Sequence, residues 1–242
     1  AERFNIPVPI AKASPYSIDV NLWGRSVECG IIEDAAVEPP EDAYEMTVNP
    51  VDAPDTPQIV EITFEKGVPV AIDGDAPGPV ALVEKANKLA GSHGVGRVDM
   101  LENRLVGIKS REVYESPAAV LLSLAHREME ALTLDRDTAH YKALVAQRYS
   151  DLVYFGLWHS PLREHLQAFV DSTQERVSGK VRMKLYKGSC FVVGRESPES
   201  LYRTDLAPYD VGDMYDASAG AGFCKIWGLP VRVAQERDRA SR

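Results

Sequence analysis

Two stretches of strict alternation constrain this chain more than anything else in it. In IVEITFEKGVPVAIDG (residues 59–74), Val60, Ile62 and Phe64 alternate with Glu61, Thr63 and Glu65. A Lys66-Gly67 pair follows, and Val68, Val70 and Ile72 resume the pattern. In KVRMKLYKGSCFVVG (residues 180–194), Val181, Met183 and Leu185 alternate with Arg182, Lys184 and Tyr186 before a turn at Lys187-Gly188-Ser189. A period of two places every apolar side chain on one side of a strand, and the glycine turns fold each strand back on the next. Each hairpin therefore has one apolar face that something else in the chain must cover.

Helical patterns supply the cover. Residues Pro79–Ala90 carry Val80, Val83, Ala86 and Ala90 at helical spacing, with Gly91 as the stop. Ser116-Pro117 reads as an N-cap and first helical residue, and the chain stays helical in pattern to Arg176 with breaks around Thr133–Asp135 and at GLWHSP. In the last helix Ser160 caps, Pro161 opens, and Leu162, His165, Leu166, Phe169 and Val170 form a stripe. Strands, then helices, then strands predict an α+β fold: antiparallel hairpins packed with a central helical segment.

The remaining segments are less regular. SPYSIDVNLWGRSVECG (residues 14–30) holds neither period for more than a few positions and reads as irregular chain bearing Ser17 and Ser26. Residues 33–58, EDAAVEPPEDAYEMTVNPVDAPDTPQ, are acidic and proline-rich and read as a long solvated connection. VGRVDMLENRLVGIKSREVYE (residues 95–115) reads as two strand-like pieces broken near Asn103 and Gly107. From about Ser218 the tail mixes Phe223, Ile226, Trp227, Leu229, Val231 and Val233 with a charged end, a composition suited to contact with a partner subunit.

Several functions are disfavoured. A formal charge of −9 over 242 residues argues against holding phosphate backbones, so no nucleic-acid partner is expected. No apolar run approaches the ~20 residues of a membrane span. Cys29, Cys190 and Cys224 are odd in number and far apart, which fits a reducing, cytoplasmic setting rather than a disulfide framework. His93, His126, His140, His159 and His165 show no metal-ligand spacing, and no protein-bound metal is expected. GSHGVGR (residues 91–97) follows a helix rather than a strand, so it reads as a turn into a strand and not as a phosphate loop.

One segment is too polar for an ordinary core strand. Residues 99–115 hold Glu102, Asn103, Arg104, Lys109, Ser110, Arg111 and Tyr114. They form either a strand edge facing water or a polar cleft in which Glu102 and Tyr114 orient a multiply hydrogen-bonding ligand.

Seven motifs, in order along the chain, resemble the C-terminal synthetase part of argininosuccinate synthases: SPYSIDVNLWGRSVECG, PPEDAY, TFEKGVPV, HGVGRVDMLENRLVGIKSREVYE, ALTLDRD, GLWHSPLRE and GRESPESLY. The resemblance implies a ligase of arginine biosynthesis that joins citrulline to aspartate at the expense of ATP, through a citrullyl-adenylate, releasing AMP and pyrophosphate. It places the family's citrulline contacts on Ser17, Ser26, Glu102 and Tyr114, in a binding and orienting role, with no catalytic residue in this chain. It also implies a cytoplasmic homotetramer, with ATP as co-substrate alongside magnesium. The family's Ser-Gly-Gly-x-Asp-Ser/Thr loop for pyrophosphate does not occur in these residues. By resemblance, residues 1–14 are the end of the nucleotide-binding domain, 15–217 the citrulline-binding synthetase domain and 218–242 a helical oligomerisation tail. The alternative is a non-catalytic amino-acid-binding or oligomerisation module.

Overall fold

A computed structural model describes residues 2–6, 16–206, 216 and 218–241. Among the described residues, two four-stranded antiparallel sheets and six α-helices make the fold α+β. The chain divides into one compact unit, residues 1–201, and a second, 202–242. Ser14 and the other residues between 7 and 15 lie outside the described part.

Both expected hairpins are present in one sheet, of order β4-β3-β7-β8. Strand β3 is Gln58–Glu65, β4 Val68–Ile72, β7 Gly179–Tyr186 and β8 Ser189–Glu196. Lys66 and Gly67 both sit at positive φ, as do Lys187 and Gly188, so each hairpin closes through a two-residue turn that follows the natural twist of its strands. Val60, Ile62, Phe64, Val181, Met183 and Leu185 are buried on one face. The alternation fails on β4, because a bulge between Thr63 and Phe64 shifts the register and leaves Val68 exposed while Ala71 and Ile72 are both buried.

Helices α1 (Pro79–Gly91) and α2 (Pro117–Thr133) cover this face with Leu82, Val83, Ala86, Leu121, Ala125 and Met129. Val80, expected on the inner stripe of α1, is exposed. Ser116 precedes α2 but its side chain caps nothing. Helices α3 (Arg136–Tyr154) and α4 (Pro161–Gln174) are properly capped, by Asp135 and Ser160. The apolar stripe of α4 is only half-buried, lying on α3 through the edge-on contact of Phe169 with Tyr141, and His165 faces solvent.

The other sheet has the order β1-β2-β6-β5. It overturns the reading of residues 14–30 as irregular: Ser17–Asn21 and Gly24–Glu28 are β1 and β2, paired antiparallel. The alternation was hidden because β1 is an exposed edge and the inward positions of β2 are Arg25 and Val27, one of them charged. Strands β5 (Arg97–Asn103) and β6 (Lys109–Glu115) complete the sheet. A small core of Tyr16, Val27, Ile32, Ala43 and Val113 backs it.

The proline-rich connection is also more than a solvated loop. The Glu115 carboxylate, fully buried, accepts from the backbone N–H of Glu45, Met46 and Thr47, from the Thr47 hydroxyl, and from Arg25. Arg111 donates to the carbonyls of Ile32, Asp34 and Val37. A loop with too few apolar residues to bury is thus fixed by two charged anchors from β6.

Residues 91–97 behave as the expected turn into β5, with Gly94 and Gly96 at positive φ. In the second unit, α5 (Ala219–Trp227) and α6 (Leu229–Ala240) pack together, leaving Phe223, Ile226, Trp227 and Val231 exposed. The cysteines Cys29, Cys190 and Cys224 are free. Among the described residues no helix is long and apolar enough to cross a membrane.

Candidate functional site

The pleat of the β1-β2-β6-β5 sheet decides which polar residues meet. Residues directly opposite one another on neighbouring strands share a face. Ser17 pairs with Glu28, Asp19 with Ser26, Ser26 with Tyr114, Tyr114 with Val98, Glu112 with Met100, and Ser110 with Glu102. All four sequence-predicted residues, Ser17, Ser26, Glu102 and Tyr114, therefore stand on one face, opposite the face that holds Val27, Val113 and Glu115.

Three of the four converge further. Ser26, Glu102 and Tyr114 line one cleft of about 560 Å³ together with Asp19, Glu28, Arg104, Glu112 and Tyr154. Ser17 shares the face but is not among the residues lining that cleft, standing beside Glu28 on the outer strand. An adjoining cleft of about 690 Å³, walled by Val98, Met100, Gln147 and Phe155, shares Glu102, Tyr114 and Tyr154 with the first.

Glu102 is the centre of a dense network. The Tyr114 hydroxyl lies against its Oε1 and is also 2.8 Å from Glu112 Oε2. With a single proton to give, the phenol satisfies one carboxylate at a time. Tyr154 donates to Glu102 Oε2 at 2.8 Å. Arg104 pairs with Glu112, with Glu28 at 3.2 Å and, at 3.8 Å, with Glu102, while its Nε donates to Ser110 at 2.7 Å.

Burial acts first on these groups. It pushes the Tyr114 phenol well above the usual tyrosine range, and hydrogen bonds to Glu102 and Glu112 push it the same way. Burial also raises Glu112, with the Glu102 and Glu28 carboxylates adding to it while Tyr114 and Arg104 oppose. The Arg104 guanidinium is stabilised in its charged form chiefly by Glu112. The lining thus sets four carboxylates (Asp19, Glu28, Glu102, Glu112) against one guanidinium. That surplus of negative charge suits a ligand with a cationic end, and the hydroxyls of Ser26, Tyr114 and Tyr154 offer fixed hydrogen bonds.

Comparison with known proteins gives the family directly. Residues 16–234 match the family described as arginosuccinate synthase C-terminal domain. The chain belongs to the argininosuccinate synthase family. It is 57% identical over 240 residues to the argininosuccinate synthase of a Synechococcus strain, covering 99% of this chain and 60% of that protein. The enzyme of Symbiobacterium thermophilum is also 57% identical, over 233 residues, which are 96% of this chain and 58% of the relative. That of Oceanobacillus iheyensis is 56% identical over 233 residues and 56% of its own length. The chain spans less than two thirds of the length of these relatives.

Among argininosuccinate synthase motifs, the stretch from His93 to Glu115 supplies β5 and β6 and so most of the network. Sequence reasoning missed Glu28, Glu112 and Tyr154, as well as Asp19, two residues from Ser17. The first two were within reach, since they stand two residues from Ser26 and Tyr114 and so share their faces. Tyr154 gave no signal, because only the approach of α3 to β5 brings it to Glu102.

Proposed function

We propose that this chain is the citrulline-binding part of an argininosuccinate synthase, the ligase of arginine biosynthesis that joins citrulline and aspartate with ATP and releases AMP and pyrophosphate. The observation that carries the proposal is the convergence of Ser26, Glu102 and Tyr114 on one acidic cleft. In this reading the citrulline ammonium is held by Glu102, and Ser26 and Tyr114 hydrogen-bond the remaining polar groups of the amino acid. Ser17, on the edge strand, completes the set from the same face.

The contribution of these residues to catalysis is orientation. The ureido oxygen of citrulline attacks the α-phosphorus of ATP: an oxygen–phosphorus bond forms, and the bond to the pyrophosphate leaving group breaks. The amine of aspartate then attacks the ureido carbon of this citrullyl-adenylate, and AMP leaves. A substrate pinned at its amino-acid end presents the ureido group in a narrow range of positions, which turns a bimolecular encounter into a near-unimolecular one. ATP, with magnesium, enters as co-substrate, and no residue of this chain is assigned to either; among the described residues no cluster of three His, Cys, Asp or Glu is arranged to hold a metal ion. The setting proposed is the cytoplasm and the assembly a homotetramer, with residues 218–242 as the oligomerisation tail of a synthetase domain spanning 15–217.

Calorimetric titration of citrulline into the chain tests the reading. Glu102→Gln removes the charge that pairs with the ammonium and is expected to weaken binding about a hundredfold. Unchanged affinity would defeat the assignment. Failure of the unaltered chain to bind citrulline would favour a non-catalytic module that assembles through its tail.

A further inference from the structure

The Glu102 carboxylate is held from two directions that the sheet alone cannot supply. Its Oε1 meets the Tyr114 hydroxyl, which comes from β6, the neighbouring strand. Its Oε2 accepts from the Tyr154 hydroxyl at 2.8 Å, and Tyr154 is the last residue of α3, outside the sheet altogether. Glu102 itself is only 7% exposed, whereas Tyr154 is 51% exposed and lines both adjoining clefts. A carboxylate fixed through one oxygen still swings about its terminal torsion, which has a broad minimum. Fixed through both, it presents the remaining lone pair of each oxygen in one direction.

We propose that Tyr154 is a positioning residue for amino-acid recognition: its hydroxyl locks the orientation of the Glu102 carboxylate toward the cleft, so that the site reads the ammonium group of its ligand. The inference rests on the reading of Glu102 as the ammonium partner. It extends that reading to a helix none of the expected contacts occupies. The direction of the Tyr154 ionisation agrees, for it is raised first of all by its hydrogen bond to Glu102.

A ligand pair separates positioning from simple support of the fold. Citrulline and 5-ureidopentanoate, which is citrulline without its amino group, are titrated into the chain and into Tyr154→Phe and Glu102→Gln. Tyr154→Phe removes one hydrogen bond to a charged group, and we expect it to weaken citrulline about tenfold while 5-ureidopentanoate stays within about twofold. Equal weakening of both ligands, or of neither, overturns the inference. If Glu102→Gln also leaves citrulline unweakened, the reading of the site falls with it; if Glu102→Gln weakens citrulline and Tyr154→Phe does not, only the role of Tyr154 falls. Should Tyr154→Phe fold poorly, carbon-13 labelling of the tyrosine rings gives a second measurement. The Tyr154 ionisation is expected to move down toward ordinary tyrosine in Glu102→Gln, and an unmoved midpoint refutes the contact.

Discussion

Glu115→Gln isolates the anchor that holds the proline-rich connection to the β1-β2-β6-β5 sheet. The substitution preserves shape and exchanges one oxygen for an NH2. Oε1 accepts three bonds, from Met46 N, Thr47 N and Thr47 Oγ1, at 2.7 to 2.8 Å. Oε2 accepts from Glu45 N at 2.8 Å and Arg25 at 3.1 Å. The amide settles with its NH2 in the Oε2 position, where the loss is smaller. Two donors then face a donor, one of them a guanidinium whose side chain is only 4% exposed. Arg25 keeps the Ala43 carbonyl at 2.7 Å but loses its buried charge partner, and removing one partner of a buried ion pair costs about 3–5 kcal/mol, so the loss is about 4 kcal/mol. With a urea slope of about 2 kcal/mol/M, the unfolding midpoint falls by about 2 M. Urea unfolding followed by circular dichroism reads it, with Glu45→Gln as the control, because the Glu45 carboxylate is exposed and water screens its 3.3 Å pairing with Arg25. A Glu115→Gln midpoint within about 0.3 M of the unaltered protein would refute the view of this carboxylate as an anchor.

Three other outcomes follow from geometry. Gly96→Ala puts a Cβ 2.5 Å from Pro117 backbone atoms at φ +114°, and should cost clearly more in the same urea assay than Gly107→Ala, where φ is +88° but nothing lies within 4 Å; equal losses would mean that backbone strain alone operates there. The Arg111 guanidinium hydrogen-bonded to Asp99 holds that carboxyl below its usual range, so its contribution is present above the unfolded value and is lost as pH falls through the folded one. Stability should therefore drop below about pH 4, and Asp99→Asn should flatten that part of the profile; an unchanged acid slope contradicts it. Removing residues from Phe223 onward is expected to lower the oligomeric mass measured by light scattering, since that residue and Trp227 stack on each other yet stay exposed. The same mass after truncation would contradict a role in assembly.

What the sequence disclosed, and what it withheld, follows from where each side chain points. The β3-β4 and β7-β8 hairpins were legible because the inner residues of β3 and β7 are Val, Ile, Phe, Met and Leu, which announce a period of two. Strands β1 and β2 were not, because the inner face of β2 begins with Arg25, an arginine buried only by virtue of a partner ninety positions away. Glu102 and Tyr114 stood out as polar residues on a strand. Tyr154, at the end of a half-exposed helix, looked like any other aromatic, and its relation to Glu102 exists only after α3 has folded toward β5.

The pairing of Arg25 with Glu115 has a consequence for accuracy as well as for strength. These two residues are directly opposite in the β2-β6 register, one position along from the pair Ser26 and Tyr114. A slip of β2 by a single residue would send Ser26 and Glu28 to the apolar side and turn Arg25 toward the cleft. It would also take the Arg25 guanidinium away from the buried Glu115 charge, on the face whose apolar residues include Val27, Ala43 and Val113. Hydrophobic contacts among such small residues tolerate misalignment, whereas an ion pair with backbone donors around it accepts only one alignment. The buried charge behind the sheet therefore acts as a proofreading mark for the strand pairing, and the face that lines the cleft inherits its precision from a contact on the opposite side.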